Sequence, residues 1–299
     1  MQSVRESIEQ AFPFTVDRYS AYIDIDGQRV ETGQDFLARS DQARQPGLVR
    51  RGSVSPKYVP HATEDIVTLA EAAAGAFPDN GGWGTQVRCS WRYGHIVEIA
   101  PSKEHQRQAA REDKIFPRIC IQAKYNDASV LFNAGMNVHK CENLLLPKLV
   151  KGCSARLRHV SDLGSKLGHL ATLCRNLAGQ WEGLVDWSQQ LTEKRVDLAQ
   201  FVKDVYGPGD EQPGRKRTNS DRRIEAIFTR VAREREKMGL KFLNNYGTWE
   251  VTGFEAYNAC QGFSQWDQSR RTRDPLARAI AASEDKYVRR AEQLLSAAV

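Results

Sequence analysis

Cationic side chains interleaved with aromatic rings mark the part of the chain between Thr85 and Val160. Arg88, Arg92, Arg118 and Lys124 fall at outward positions on alternating stretches, with Trp91, Tyr93 and Tyr125 beside them. A single-stranded nucleic acid needs that combination: charge to track its phosphates and ring faces on which bases stack. Lys140, Arg156 and Arg158 extend the set, and Arg215, Lys216 and Arg217 add a basic loop flanked by glycine and proline. Such a loop can rest on phosphates and give salt-dependent, sequence-independent affinity. Each feature also has a plainer reading. Trp91 fits the apolar face equally well, which leaves the arginines as ordinary solvent positions, and residues 215–223 can serve as a solvated linker.

Other chemistry finds less support. His139, Cys141, Cys153 and His159 are ligand types that zinc accepts, but their spacing matches no common structural zinc site. Core cysteines and a surface or capping histidine are the simpler assignment, since the six cysteines contain no C-x-x-C pair. The chain has no G-x-x-x-x-G-K-[ST] phosphate loop, no G-x-G-x-x-G after a strand, no G-x-S-x-G elbow and no H-E-x-x-H. The expected function is therefore binding without catalysis, with no cofactor.

The totals agree with a soluble binding protein. A formal charge of +6 favours anionic partners. With 299 residues, 40% of them hydrophobic, the chain can bury a real core, which excludes global disorder. No run of about 18 apolar residues exists, which excludes a helical membrane span. The opening MQSVRESIEQAF has no apolar core of a secretory signal, so the cytosol of a bacterial host is the expected compartment.

These side chains need a scaffold, and hydrophobic periodicity supplies one. Ala21–Ile25 and Gln28–Val30 alternate around Asp26-Gly27, a hairpin signal. Thr63 followed by Glu64 and Asp65 starts a helix on which Ile66, Leu69, Ala73 and Phe77 recur. From Thr85 the period becomes two: Val87, Cys89 and Trp91, then His95, Val97 and Ile99. Residues 101–114 read as an exposed connection. Ile119 and Ile121 pair with Val130, Phe132 and Ala134 across Asn126-Asp127, and a helix is expected from Cys141-Glu142. From Leu163 to Leu191 a heptad seam predicts a long helix, either a core element or a contact between subunits. Helices follow over Ile224–Met238, from the capping box of Thr252 and Glu255, and after Ser283. The expected fold is α+β: an antiparallel β-meander packed on helices (1–160), followed by a largely helical half (161–299), as one continuous domain.

Val54-Ser55-Pro56-Lys57-Tyr58-Val59-Pro60, Tyr125-Asn126-Asp127-Ala128-Ser129, Val138-His139-Lys140-Cys141-Glu142-Asn143-Leu144, Arg158-His159, Gly247-Thr248-Trp249 and Glu255-Ala256-Tyr257-Asn258-Ala259 recur in an order that resembles the phage/plasmid-like family labelled domain of unknown function 932. The likeness spans about residues 50–295 and implies a gene of phages, plasmids or integrated elements. One departure matters: the family commonly carries a histidine after the Tyr-Asn-Ala helix start, and Gln261–Gln268 has none. Leu69–Val87, with Asn80-Gly81-Gly82-Trp83-Gly84, is similar to the core of ring-forming single-strand annealing proteins, in which a β-meander on a helix oligomerises and a basic groove holds nucleic acid. Together these imply an oligomeric single-stranded-DNA-binding protein acting in recombination or replication. The alternative is a protein that binds and redirects a host factor through the Trp181–Trp187 helix face.

Overall fold

The computed structural model describes residues 3–42, 49, 53–55, 58–75, 86–91, 93–100, 107–110, 113–125, 129–138, 143–150, 154–158, 172, 182–207, 219–237, 239, 250–268 and 273–296. The fold is α+β, with antiparallel strands in the first half and a mainly helical second half. Two compact units share it, each discontinuous in sequence. Unit 1 holds residues 1–102, 119–133 and 154–179, and unit 2 holds 103–118, 134–153 and 180–299.

Unit 1 begins with helix α1 (Val4–Ala11), closed at its start by a capping box between Ser3 and Glu6. Strands β1 (Val16–Ile25) and β2 (Gln28–Arg39) form a separate two-stranded ribbon around Asp26 and Gly27, both at positive φ. Helix α2 (Thr63–Gly75) follows, with Glu64 and Asp65 in its first turn. Arg5 of α1 ties to Glu64 at 2.7 and 2.9 Å.

The unit 1 sheet takes β3 (Gln86–Trp91), β4 (Gly94–Ala100), β6 (Asp113–Lys124), β7 (Ser129–Val138) and β9 (Ser154–Arg158), in that order. Where alternation predicted one wet face for the β3–β4 hairpin, all seven residues of β4 are buried. At the hairpin bend Gly94 has φ 154°, and a Cβ there would collide with the backbone of Ala123 and Lys124. Only glycine fits where β4 meets β6.

In unit 2, β5 (Arg107–Ala110) pairs with the first half of β6, inside the stretch expected to be an exposed connection. The second half of β7 pairs with β8 (Leu144–Leu145). The helix expected from Cys141-Glu142 is thus replaced beyond residue 143 by β8, a bend and β9. The two short strands satisfy backbone groups of β7 that a helix would have left unpaired.

The helices of unit 2 are α3 (residues 182–193), α4 (Leu198–Tyr206), α5 (Asn219–Lys237), α6 (Gly253–Gly262), α7 (Pro275–Ser283) and α8 (Lys286–Ser296), with β10 (Arg195–Asp197) paired to β11 (Glu250–Thr252). The capping box at Thr252 forms as its sequence predicts, and α6 runs on into a π-helical turn, Phe263–Asp267. Leu184, Leu191, Ile227, Val231, Phe254, Val288 and Leu295 are buried. Much of the heptad seam, residues 163–171 and 173–181, lies outside the described residues. Among the described residues no helix is long and apolar enough to cross a membrane.

Candidate nucleic-acid interface

Strand register decides how much of the expected cationic face is free. Trp91 stands opposite His95, so three residues further along Arg88 stands opposite Glu98. Their side chains meet at 2.6 Å; the arginine is exposed and the carboxylate is only 4% exposed. A buried carboxylate needs a matching charge, and Arg88 supplies it. Its expected role as a free phosphate contact is corrected on that ground.

Arg118 is half-buried and donates from Nη1 to the Pro117 carbonyl at 2.8 Å, with its guanidinium 5.7 Å from the Phe116 ring centre. Lys124 is half-buried at the end of β6. Arg156 is exposed on β9 and has no ion-pair partner among the described residues. Arg158 lies two residues further along the same strand, opposite Ser129. Arg92, Lys140, Arg215, Lys216 and Arg217 lie outside the described residues, as do the zinc candidates His139, Cys141, Cys153 and His159. Among the described residues no group of three or more His, Cys, Asp or Glu could hold a metal.

The proposed stacking residues separate. Tyr93 is 38% exposed, with positive φ. Tyr125 is fully buried: its ring stacks on His61 at 4.1 Å and its hydroxyl donates to the His61 carbonyl at 2.8 Å. It has no free face for a base. Trp91 packs edge-on against Phe14 at 4.8 Å and against His95 at 5.1 Å, so it belongs to the apolar side of the hairpin. Of the Trp181–Trp187 helix face expected to meet a host factor, Trp187 is buried edge-on against Tyr257 at 5.2 Å, and Trp181 lies outside the described residues.

Two polar clusters were not anticipated. In unit 1 the buried His61 and His95 share a hydrogen bond, Nε2 to Nδ1, at 2.9 Å, and Nε2 of His95 lies 3.3 Å from the Thr63 hydroxyl. Phe12, Phe14, His61 and Thr63 line a cleft of about 590 Å³ here. Burial, helped by the nearby Arg39 charge, pushes His95 down to about 3. A histidine so reluctant to take a proton is a poor general base, and the cluster reads as packing.

In unit 2 the π-turn and α6 face α5. Arg230 donates to Glu234 at 3.2 Å and to Asp267 at 2.8 Å. Asn258 donates to the other Glu234 oxygen at 2.9 Å. Asn143 donates to Asn258 and accepts from the Trp266 indole at 2.9 Å. Gly262 makes room for them, since a Cβ would come 2.7 Å from Arg230 and 2.8 Å from Asn143. Burial pushes the Glu234 carboxyl up to about 7, against the pull of Arg230 and of the Asn143 and Asn258 amides. Both its oxygens are engaged, which holds the group rather than presenting it to a substrate. Asn143 and Asn258, 115 residues apart in sequence, thus meet. Gln261, also buried on α6, donates from Nε2 to the Leu144 carbonyl at 2.9 Å. Cys260, also buried, has its thiol pushed up to about 12 by desolvation, which leaves it unreactive.

Compared with protein-family models, curated proteins and solved structures, the chain matched none.

Proposed function

We propose that this protein holds single-stranded DNA without altering it, as an annealing-type recombination or replication protein of a phage or other mobile element. Arg156 carries the reading. It is an exposed cation on β9, the last strand in the order of the unit 1 sheet. Positions 156 and 158 share a side of that strand and stand about 6.6 Å apart. Arg158 lies opposite Ser129, the first residue of β7, and Lys124 is the last residue of β6, the strand beside it. The phosphate track proposed is therefore this border rather than the open face around Arg88. The formal charge of +6 adds general attraction for a polyanion, and the mobile-element setting follows the family resemblance.

Fluorescence anisotropy with a labelled oligothymidylate, repeated at rising salt, tests it. The expected result is binding at low salt that weakens steeply as salt is added. Absence of binding at low salt overturns the proposal. A stoichiometric host protein captured without nucleic acid would instead favour the alternative, a protein that redirects a host factor.

A further inference from the structure

The outer part of the β1–β2 ribbon has an apolar side that none of its own strands covers. Ile23 pairs with Val30, Ile25 with Gln28, Asp24 with Arg29 and Tyr22 with Glu31. Opposed residues in an antiparallel pair share a face, so Ile23, Ile25 and Val30 stand together on one side and the charges on the other. Ile23 and Ile25 are 50% exposed and Val30 is 42% exposed. A two-stranded ribbon with a bare aliphatic face is marginal alone and marks a site of association.

We propose that the outer edge of β2 pairs with the same edge of a second copy of this chain, antiparallel about a two-fold axis at Val30, to make a four-stranded sheet. The turn fixes which backbone groups are available. Asp26 and Gly27, at φ 53° and 78°, form a two-residue loop of the I′ kind, which closes on a hydrogen-bonded pair, Ile25 with Gln28. Bonding alternates from there, so Val30 bonds inward to Ile23 while Arg29 and Glu31 point their N–H and C=O groups outward. With the axis at Val30, Arg29 lies against Glu31 of the second copy, and each pair exchanges both backbone hydrogen bonds.

Charge selects this register. An axis at Arg29 would set two arginines face to face, and one at Glu31 two glutamates; like charges directly opposed are destabilising. Pairing through the β1 edge about Ile23 would set Tyr22 against Asp24, with no charge gained. At Val30 both ion pairs are complementary, and Ile23, Val30 and their two equivalents form one aliphatic row across four strands. This inference does not rest on the DNA-binding proposal.

Light scattering and sedimentation of the full chain, with four variants, test it. The wild type is expected to reach twice the 33.7 kDa chain mass as concentration rises. Val30→Cys is expected to form a covalent dimer under mild oxidation, because opposed positions of a non-hydrogen-bonded pair lie within disulfide reach. Gln28→Cys, which would face Thr32 of the second copy, is expected to cross-link no more than the wild type. Arg29→Glu and Glu31→Arg are each expected to weaken association about ten-fold, and an equimolar mixture to recover it as a heterodimer. A wild type that stays monomeric to about 100 µM overturns the proposal. So does Val30→Cys cross-linking no better than Gln28→Cys, or a mixture that behaves like its separate components.

Discussion

The Asn143 carboxamide donates to Oδ1 of Asn258 at 2.8 Å, joining positions 115 residues apart. Asn258 in turn donates to Glu234, so one amide links the residue before β8 to α5. Asn258→Ala removes an acceptor from Asn143 and a donor from Glu234, both in buried surroundings. The expected loss is about 3 kcal/mol, read as a shift of the denaturation midpoint of unit 2. A shift below about 1 kcal/mol would show that water replaces the amide without loss.

Glu234 gives a pH dependence of defined sign. Its folded-state value near 7 lies above the ordinary 4.5, so the folded chain keeps a proton that the unfolded chain has released. Stability of unit 2 is therefore greatest below about pH 4.5 in this respect and falls as pH rises toward 7, by up to about 3 kcal/mol. Hydrogen exchange of α5 and α6 peptides, corrected for intrinsic rates, should show that loss of protection. Glu234→Gln should flatten it.

His95 has the opposite sign. Its folded-state value near 3 lies below the ordinary 6.5, so only the unfolded chain takes up a proton between the two. Unit 1 is expected to lose stability as pH falls below about 6.5, by several kcal/mol at the acid limit. Exchange of β4 peptides should report it, and a His95→Phe variant that keeps the same acid sensitivity would contradict it.

Salt dependence separates Arg156 from Arg88, both of them exposed. If Arg156 touches a phosphate, Arg156→Ala should lower the slope of log affinity against log salt by about 0.7. Arg88→Ala should leave the slope unchanged, because its charge answers Glu98. Equal effects from both variants would count against the border track.

Gly94→Ala is expected to cost about 3 kcal/mol or more, because the added carbon meets backbone that cannot rotate away. Thermal melting against the wild type measures it. Gly27→Ala, with nothing within 4 Å of its Cβ, should cost only the strain of its positive φ, about 1 kcal/mol.

Much of the fold was legible because local rules set it. Asp26-Gly27, the strand pairing of Val87 to Ile99 and the Thr252–Glu255 capping box form as their residues dictate, although β4 is buried on both sides where alternation gave it a wet one. The same rule would have found α1, whose Ser3 and Glu6 form an equal capping box. β5 carries no apolar alternation, and β8 is too short to have a period, so neither announces itself. The site was less legible. Alternation puts Arg88 outward correctly, but its charge balance depends on Glu98 in the next strand, which only hairpin register reveals. The burial of Tyr125, Asn143 and Glu234 is set by partners far away in sequence, and residue type alone gives no sign of it.

Both sides of β4 are covered. On the proposed function, a polynucleotide would then run along a margin of the sheet rather than across its middle. A margin touches few nucleotides per molecule, so useful affinity would have to accumulate from molecules arrayed in succession. Occupancy would climb sharply once an oligonucleotide is long enough to seat several of them.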